Sequence, residues 1–193
     1  MVTVDRITSR EDAIKAVRED PKDLPKEYRD DYDVVATAVK HKYAADAFKF
    51  ASQRLRADPT IAHDCIMNDK YMKCIDYVDA SLLADRDFVL GVLSCRPYVF
   101  GHSTVPLTRE FARDCVVQHG DIMDHLPEEY ADDKAFALEV LSLGGDVLWN
   151  LSERLKDDRE VVLAQIQNTG SHIQFASRRL QRDRECLIEA ALS

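Results

Sequence analysis

The sequence predicts an all-α fold, an α-solenoid of about seven stacked helix–turn–helix repeats of roughly 25 residues. Three observations predict it. An acid or hydroxyl residue recurs with the same apolar residues around it. A glycine recurs twelve residues later. A second, shorter apolar pattern then fills the space before the next copy.

The stretch Leu155-Lys156-Asp157-Asp158-Arg159-Glu160-Val161-Val162-Leu163 defines the frame. With Asp158 as the anchor, an apolar residue lies at −3 and others at +3 to +5. Equivalent anchors are Ser9, Asp31, Asp58, Asp85, Thr108, Asp133 and Asp183, and successive anchors lie 22, 27, 27, 23, 25, 25 and 25 residues apart. Asp, Ser and Thr accept hydrogen bonds from the unpaired amides of a helix's first turn, so each anchor reads as an N-cap. Acids at +2 (Glu11, Asp33, Asp87, Glu110, Glu160, Glu185) suit the positive end of the helix dipole. Pro59 stands at a first helical position, where its missing N–H costs nothing. Apolar residues at +3, +4, +7 and +8, such as Phe88, Val89, Val92 and Leu93, form one face of a helix of about three turns.

Gly120, Gly145 and Gly170 each lie twelve after their anchors and read as left-handed helix stops. The pattern Val147, Leu148, Leu151, Leu155, matched by Cys74, Ile75, Val78, Leu82, predicts a second helix running to the next anchor. No unit of this size buries its apolar face alone, so neighbours must stack.

One helical-repeat domain over 1–193 is expected, with a degenerate unit at 1–30 and a half unit or cap at 183–193. Asp20-Pro21 and Leu24-Pro25 break the pattern in the first unit, and the two units spaced by 27 carry longer turns near His41-Lys42-Tyr43 and Asn68-Asp69-Lys70. Residues 94–107 are the most irregular stretch, with Gly101-His102-Ser103-Thr104 where other copies keep helix formers, which makes them a candidate functional loop. No apolar run reaches the length of a membrane span, and Met1-Val2-Thr3-Val4-Asp5-Arg6 lacks the core of a signal peptide. The five cysteines form no C-x-x-C pair; Cys65, Cys115 and Cys186 occupy core positions of the frame, and reduced thiols fit the cytoplasm.

The chain carries no catalytic signature. Gly144-Gly145-Asp146 coincides with a helix stop and is no phosphate loop, and no cofactor is expected. His119-Gly120-Asp121 with Asp124-His125 is the one cluster of metal-ligand residue types, but its histidines are six apart with no Glu between them, unlike a zinc helix, and His125 takes a place held by Phe50, Tyr77 and Phe175. The expected function is therefore a non-catalytic scaffold for protein–protein interaction. An enzyme, or its regulatory domain, with a site near His102 or His119 and His125 is the alternative. A third reading is nucleic-acid binding along arginine stripes: Arg10, Arg86, Arg109, Lys134, Arg159 and Arg184 sit at +1, and Arg54, Arg154 and Arg179 at −4. A net charge of −9 argues against a general nucleic-acid binder. The +1 stripe adjoins the acids at +2, so a self-compensating edge is expected there. For a protein partner the candidate contacts are Arg154, Arg178, Arg179, Arg182 and Trp149; Trp149 occupies a place that is polar in other copies.

The pattern L-x-x-D-x-E-[FV]-V-L, followed by a glycine turn and an [FY]-A-S-x-x-L segment, resembles the short helical repeat of the domain of unknown function 4116 family. Leu155–Leu163, Phe175–Leu180, Phe50–Leu55 and Leu82–Leu90 carry the resemblance, which spans roughly 28–193 and departs at 94–107 and 1–27. The family has no assigned activity, so it implies no catalytic residues. Its occurrence in microbial eukaryotes and in bacteria that live inside host cells implies an effector role, delivered into a host cytoplasm, as one further expectation.

Overall fold

A computed structural model describes residue 7 and residues 9–71 and 73–193; the expectation for Met1–Arg6 lies outside them. Every regular element among the described residues is a helix. The chain divides into two units, residues 1–105 and 106–193. In the first, α1 (Arg10–Glu19) packs on α2 (Tyr32–Ala38). The one-turn helices α3 (Ala45–Phe48) and α4 (Gln53–Arg56) follow. Then α5 (Pro59–Asn68) packs on α2, and, after α6 (Ala80–Leu83), α7 (Arg86–Leu93) packs on α5. In the second, α8 (Arg109–Gln118), α10 (Lys134–Ser142), α12 (Arg159–Asn168) and α13 (Arg184–Leu192) pack in that order, with one-turn helices α9 (Glu128–Ala131) and α11 (Glu153–Lys156) between them.

Each anchor caps a long helix. Asp58 Oδ1 accepts from Thr60 N at 3.0 Å and Ile61 N at 2.9 Å, and Thr108 Oγ1 accepts from Phe111 N at 3.1 Å. Ser9, Asp31, Asp85, Asp133, Asp158 and Asp183 do the same. The apolar face then packs. Val161 and Val162, at +3 and +4 of α12, are both fully buried. Burying such a side chain contributes about 1.5–3 kcal/mol. The +4 residues Ala13, Val35, Ala62, Val89, Ala112, Ala137 and Val162 are all buried, and Cys65, Cys115 and Cys186 join this core. Burial, then a hydrogen bond with Cys74, raises the Cys65 thiol pKa.

Three expectations need correction. The second helix is not continuous. It is a 3-10 segment followed by a single turn, as in Gly120–His125 with α9, or Leu148–Asn150 with α11. Ser52, Ser152 and Asp79 cap the single turns, and that second N-cap interrupts the helix. The stretch 94–107 is more regular than its sequence. Pro97–His102 is a 3-10 helix of the same length as Gly120–His125 and Gly170–Phe175, and only the one-turn helix after it is missing.

The glycines are the third correction. Only Gly144 has a positive φ, +83°. Gly120, Gly145 and Gly170 are required by close approach instead. A Cβ on Gly120 would lie 2.0 Å from Asp146 O, one on Gly145 2.5 Å from Val140 Cγ1, and one on Gly170 2.3 Å from Ala190 O. The backbone that approaches Gly120 or Gly170 lies in the following repeat, so these glycines set how closely consecutive repeats stack.

Gly170→Ala should therefore destabilise the protein by about 1–3 kcal/mol through overpacking. Gly91→Ala should stabilise it by about 0.5–1 kcal/mol, because Gly91 is exposed inside α7 with nothing within 4 Å of a new Cβ. Urea midpoints of the two variants check this; equal effects would refute the close-approach reading.

Candidate functional site

Two rows of side chains join consecutive repeats, and they use six of the chain's 16 arginines. The first row lies at +1. Arg10 bonds Asp31 at 2.7 Å and also Asp33, the anchor and +2 acid of the next copy. Lys134 bonds Asp158 and Glu160, each at 2.8 Å. Arg159 bonds Glu185 and lies 3.8 Å from Asp183. Arg109 bonds Asp133 at 2.5 Å, and because Ala135 holds the +2 place its other acid is Glu139, at 3.7 Å. Arg10, Arg109, Lys134 and Arg159 are thus spent on the acids of the next repeat, whereas Arg86 lies 3.8 Å from Asp87 of its own.

The second row is the arginine stripe at −4, whose partners spacing alone does not identify. Asp157 accepts from Ser177 Oγ and, at 3.0 Å, from Arg179 Nε, while Arg179 Nη2 donates to Asp157 O at 2.8 Å. Ser152 and Arg154 grip Asp132 in the same way, with Arg154 Nη2 2.6 Å from Asp132 O. Ser52 and Arg54 grip Asp30. The serine N–H also donates to the carbonyl just before each aspartate, at 2.8–2.9 Å. The sequence carries the signal: Asp stands at −1 in these three copies alone, each followed by Ser-x-Arg in the next repeat. Where −1 is Ala57, Ala84 or Leu107, no Ser-x-Arg stands at −6 to −4 of the next anchor.

Of the five residues predicted to meet a partner, Arg154 and Arg179 thus hold the chain to itself. Trp149 is half-buried; its Nε1 donates to Asp121 at 3.2 Å, and its ring packs against His172 and Phe175 at 5.4 and 5.7 Å. Arg178 and Arg182 are exposed and make no ion pair among the described residues. The five do not form one cluster around a shared ligand.

The histidine candidates are dispersed. His102 stacks on Tyr98 at 4.6 Å, and Cys95 Sγ instead meets Ser94 Oγ at 3.8 Å. His125 is exposed, as is Phe50 at the equivalent place, whereas Phe175 is half-buried. His119 Nδ1 is buried and lies 3.9 Å from Asp121, too far for a hydrogen bond. Among the described residues no group of three or more His, Cys, Asp or Glu side chains is placed to hold a metal ion.

A concavity lies elsewhere, on the long helices. It is a groove of about 740 Å³ between α10 and α12, floored by Leu138, Leu141, Leu163 and Ala164 and rimmed by Arg159, Glu160, Gln167 and Asn168. Leu138 and Leu163 both stand at +5, and Ile188, half-exposed on α13, is the next residue of that row. The sequence marked +5 as apolar in these copies without revealing that it turns away from the core. Across the chain the +5 row reads Ile14, Ala36, His63, Leu90, Arg113, Leu138, Leu163, Ile188, far more varied than the buried +4 row.

Ser177, then Arg179, hold the Asp157 carboxyl below its ordinary range, and Ser152 and Arg154 do the same for Asp132. A lowered folded pKa contributes stability above the unfolded carboxylate value of about 3.9, lost as pH falls through the folded value. Asp157→Asn should therefore lower the thermal midpoint at pH 7, and the gap from the parent should close below about pH 4. A gap that persists at acid pH would show that the clasp is not electrostatic.

Among the described residues no helix is long and apolar enough to cross a membrane. No curated protein and no solved structure matches the chain. Residues 108–156 and 133–171 each match the model of one family. These overlapping matches cover residues 108–171, and that part of the chain carries the repeat of the family described as Domain of unknown function (DUF4116).

Proposed function

We propose that the chain is an α-solenoid of about seven stacked helix–turn–helix units and serves as a non-catalytic scaffold for a protein partner. The observation that carries this reading is the contrast between the two rows of the long helices. The +4 row is apolar in every copy and buried in all but the last, Leu187, while the +5 row beside it varies and, between α10 and α12, lines an open apolar groove. Repeat stacks keep the core that holds neighbours together and vary the exposed row, which then sets what is bound. A groove between two helices, with a leucine floor and a mixed Arg159–Glu160 rim, suits one amphipathic helix of a partner. Arg178 and Arg182 stay available to an acidic flank of that partner.

The test is affinity capture with chemical cross-linking, using the full chain, a Leu138→Glu/Leu163→Glu variant and an Arg178→Glu/Arg182→Glu variant. We expect a partner that cross-links beside α10 or α12 with the parent and is lost by at least tenfold with the leucine variant. Equal recovery by parent and leucine variant, with both folded by circular dichroism, would refute the groove as the binding surface.

A further inference from the structure

The two repeats spaced by 27 residues carry longer turns, and both turns contain the dipeptide Lys-Tyr: Lys42-Tyr43 after α2 and Lys70-Tyr71 after α5. The fold brings them together. Lys70 N donates to Lys42 O at 3.1 Å, which locks one turn against the other. The two tyrosine rings lie 6.0 Å apart and only 13° from parallel. The His41 ring sits 5.5 Å from Tyr43, extending the row. Nothing buries these rings: Tyr43 is 37 % and Tyr71 55 % exposed.

The row is wrapped in cations. Lys42 Nζ lies 5.1 Å from the centre of the Tyr43 ring, and Lys70 and Lys73 lie 5.6 and 5.8 Å from that of Tyr71. These three lysines are exposed and make no ion pair with an acid among the described residues. Of the nearby acids, Asp46 is shared between Lys22 and Lys49 at 3.8 Å, and Asp69 is 1 % exposed, its carboxylate taken by Tyr71 N and Cys74 N. Lys22, Lys73 and the two rings border a hollow of about 240 Å³ together with Asp46 and Asp69. In a chain of net charge −9, Lys42, Lys70 and Lys73 make a locally basic surface around exposed aromatic rings.

We propose that the Tyr43–Tyr71 ladder, with Lys42, Lys70 and Lys73, is a binding site for single-stranded nucleic acid. Bases continue the tyrosine stack, and the lysines neutralise the phosphates between them. Flat exposed rings combined with cations are what an unpaired strand requires, since every base offers a π-face and every link a charge. An acidic peptide would use the lysines and leave the ring faces without a role. The site is distinct from the groove between α10 and α12, and it does not involve the arginine rows.

The experiment is a fluorescence-anisotropy titration of a labelled oligouridine strand of about ten nucleotides, a length within the usual span of one such site. The full chain is titrated at several salt concentrations. Three lysine–phosphate contacts predict a log–log salt slope of about −2. Tyr43→Ala/Tyr71→Ala should weaken binding by at least tenfold, Tyr43→Phe/Tyr71→Phe should bind like the parent, and Lys42→Glu/Lys70→Glu/Lys73→Glu should abolish binding. Circular dichroism establishes that each variant is folded. No binding by the parent at low salt would overturn the proposal. So would alanine variants that bind as tightly as the parent, or a polyglutamate peptide or duplex that displaces the strand at equal concentration, because each would make the site one for charge alone.

Discussion

The structure rests on one constraint: in α2, α5, α8, α10 and α12 the adjacent residues at +3 and +4 are both buried. In α12 these are Val161 and Val162, each fully enclosed. A helix about three turns long that is apolar on two sides needs a neighbour on each, and α12 has them in α10 and α13. The spacing of α12 from α13 is then set by Gly170, and that of α8 from α10 by Gly120, where the backbone of the following repeat comes too close for any side chain. The polar rows follow from the same stacking. Once long helices lie side by side at a fixed spacing, a base at +1 meets the anchor and the +2 acid of the next copy. These exposed pairs add little energy individually, and they select register more than they stabilise.

The same constraint explains the variation among copies. Asp12 occupies +3 of α1 and is exposed, where the later copies carry apolar residues. Leu187 occupies +4 of α13 and is 47 % exposed, where the equivalent residues are buried. The composition of a position therefore tracks what packs on it, repeat by repeat. Positions free of this demand, the +5 row and the two long turns, are where the chain departs from its own average. Both proposed binding surfaces lie there.

Much of this was legible from residue types at fixed spacing. Every anchor from Ser9 to Asp183 caps a helix, because a short polar side chain before an apolar run has one local solution. The expected mixed edge at +1 is present in Arg10, Lys134 and Arg159. What spacing does not reveal is pairing at a distance. Gly120 and Gly170 looked like helix stops because glycine has two uses, and only the approach of Asp146 or Ala190 distinguishes them. Arg154 and Arg179 looked like free charges because their partners, Asp132 and Asp157, lie 22 residues earlier. The three Asp and Ser-x-Arg pairs become visible only when neighbouring copies are compared two at a time. Trp149 was singled out as an outlier against its polar equivalents, and its ring is held by His172 and Phe175 of the next repeat. The Tyr43–Tyr71 stack went unread for the same reason: its two halves lie in different repeats.

The claim that each helix depends on neighbours at both sides is tested most directly by native-state hydrogen exchange over residues 106–193 at increasing denaturant. The account predicts graded protection. Amides of α12, packed between α10 and α13, should open last, and those of α13, whose Leu187, Ile188 and Leu192 face outward, should open first. If α13 were as protected as α12, stacking between neighbours would not be what holds these helices, and the account would be wrong.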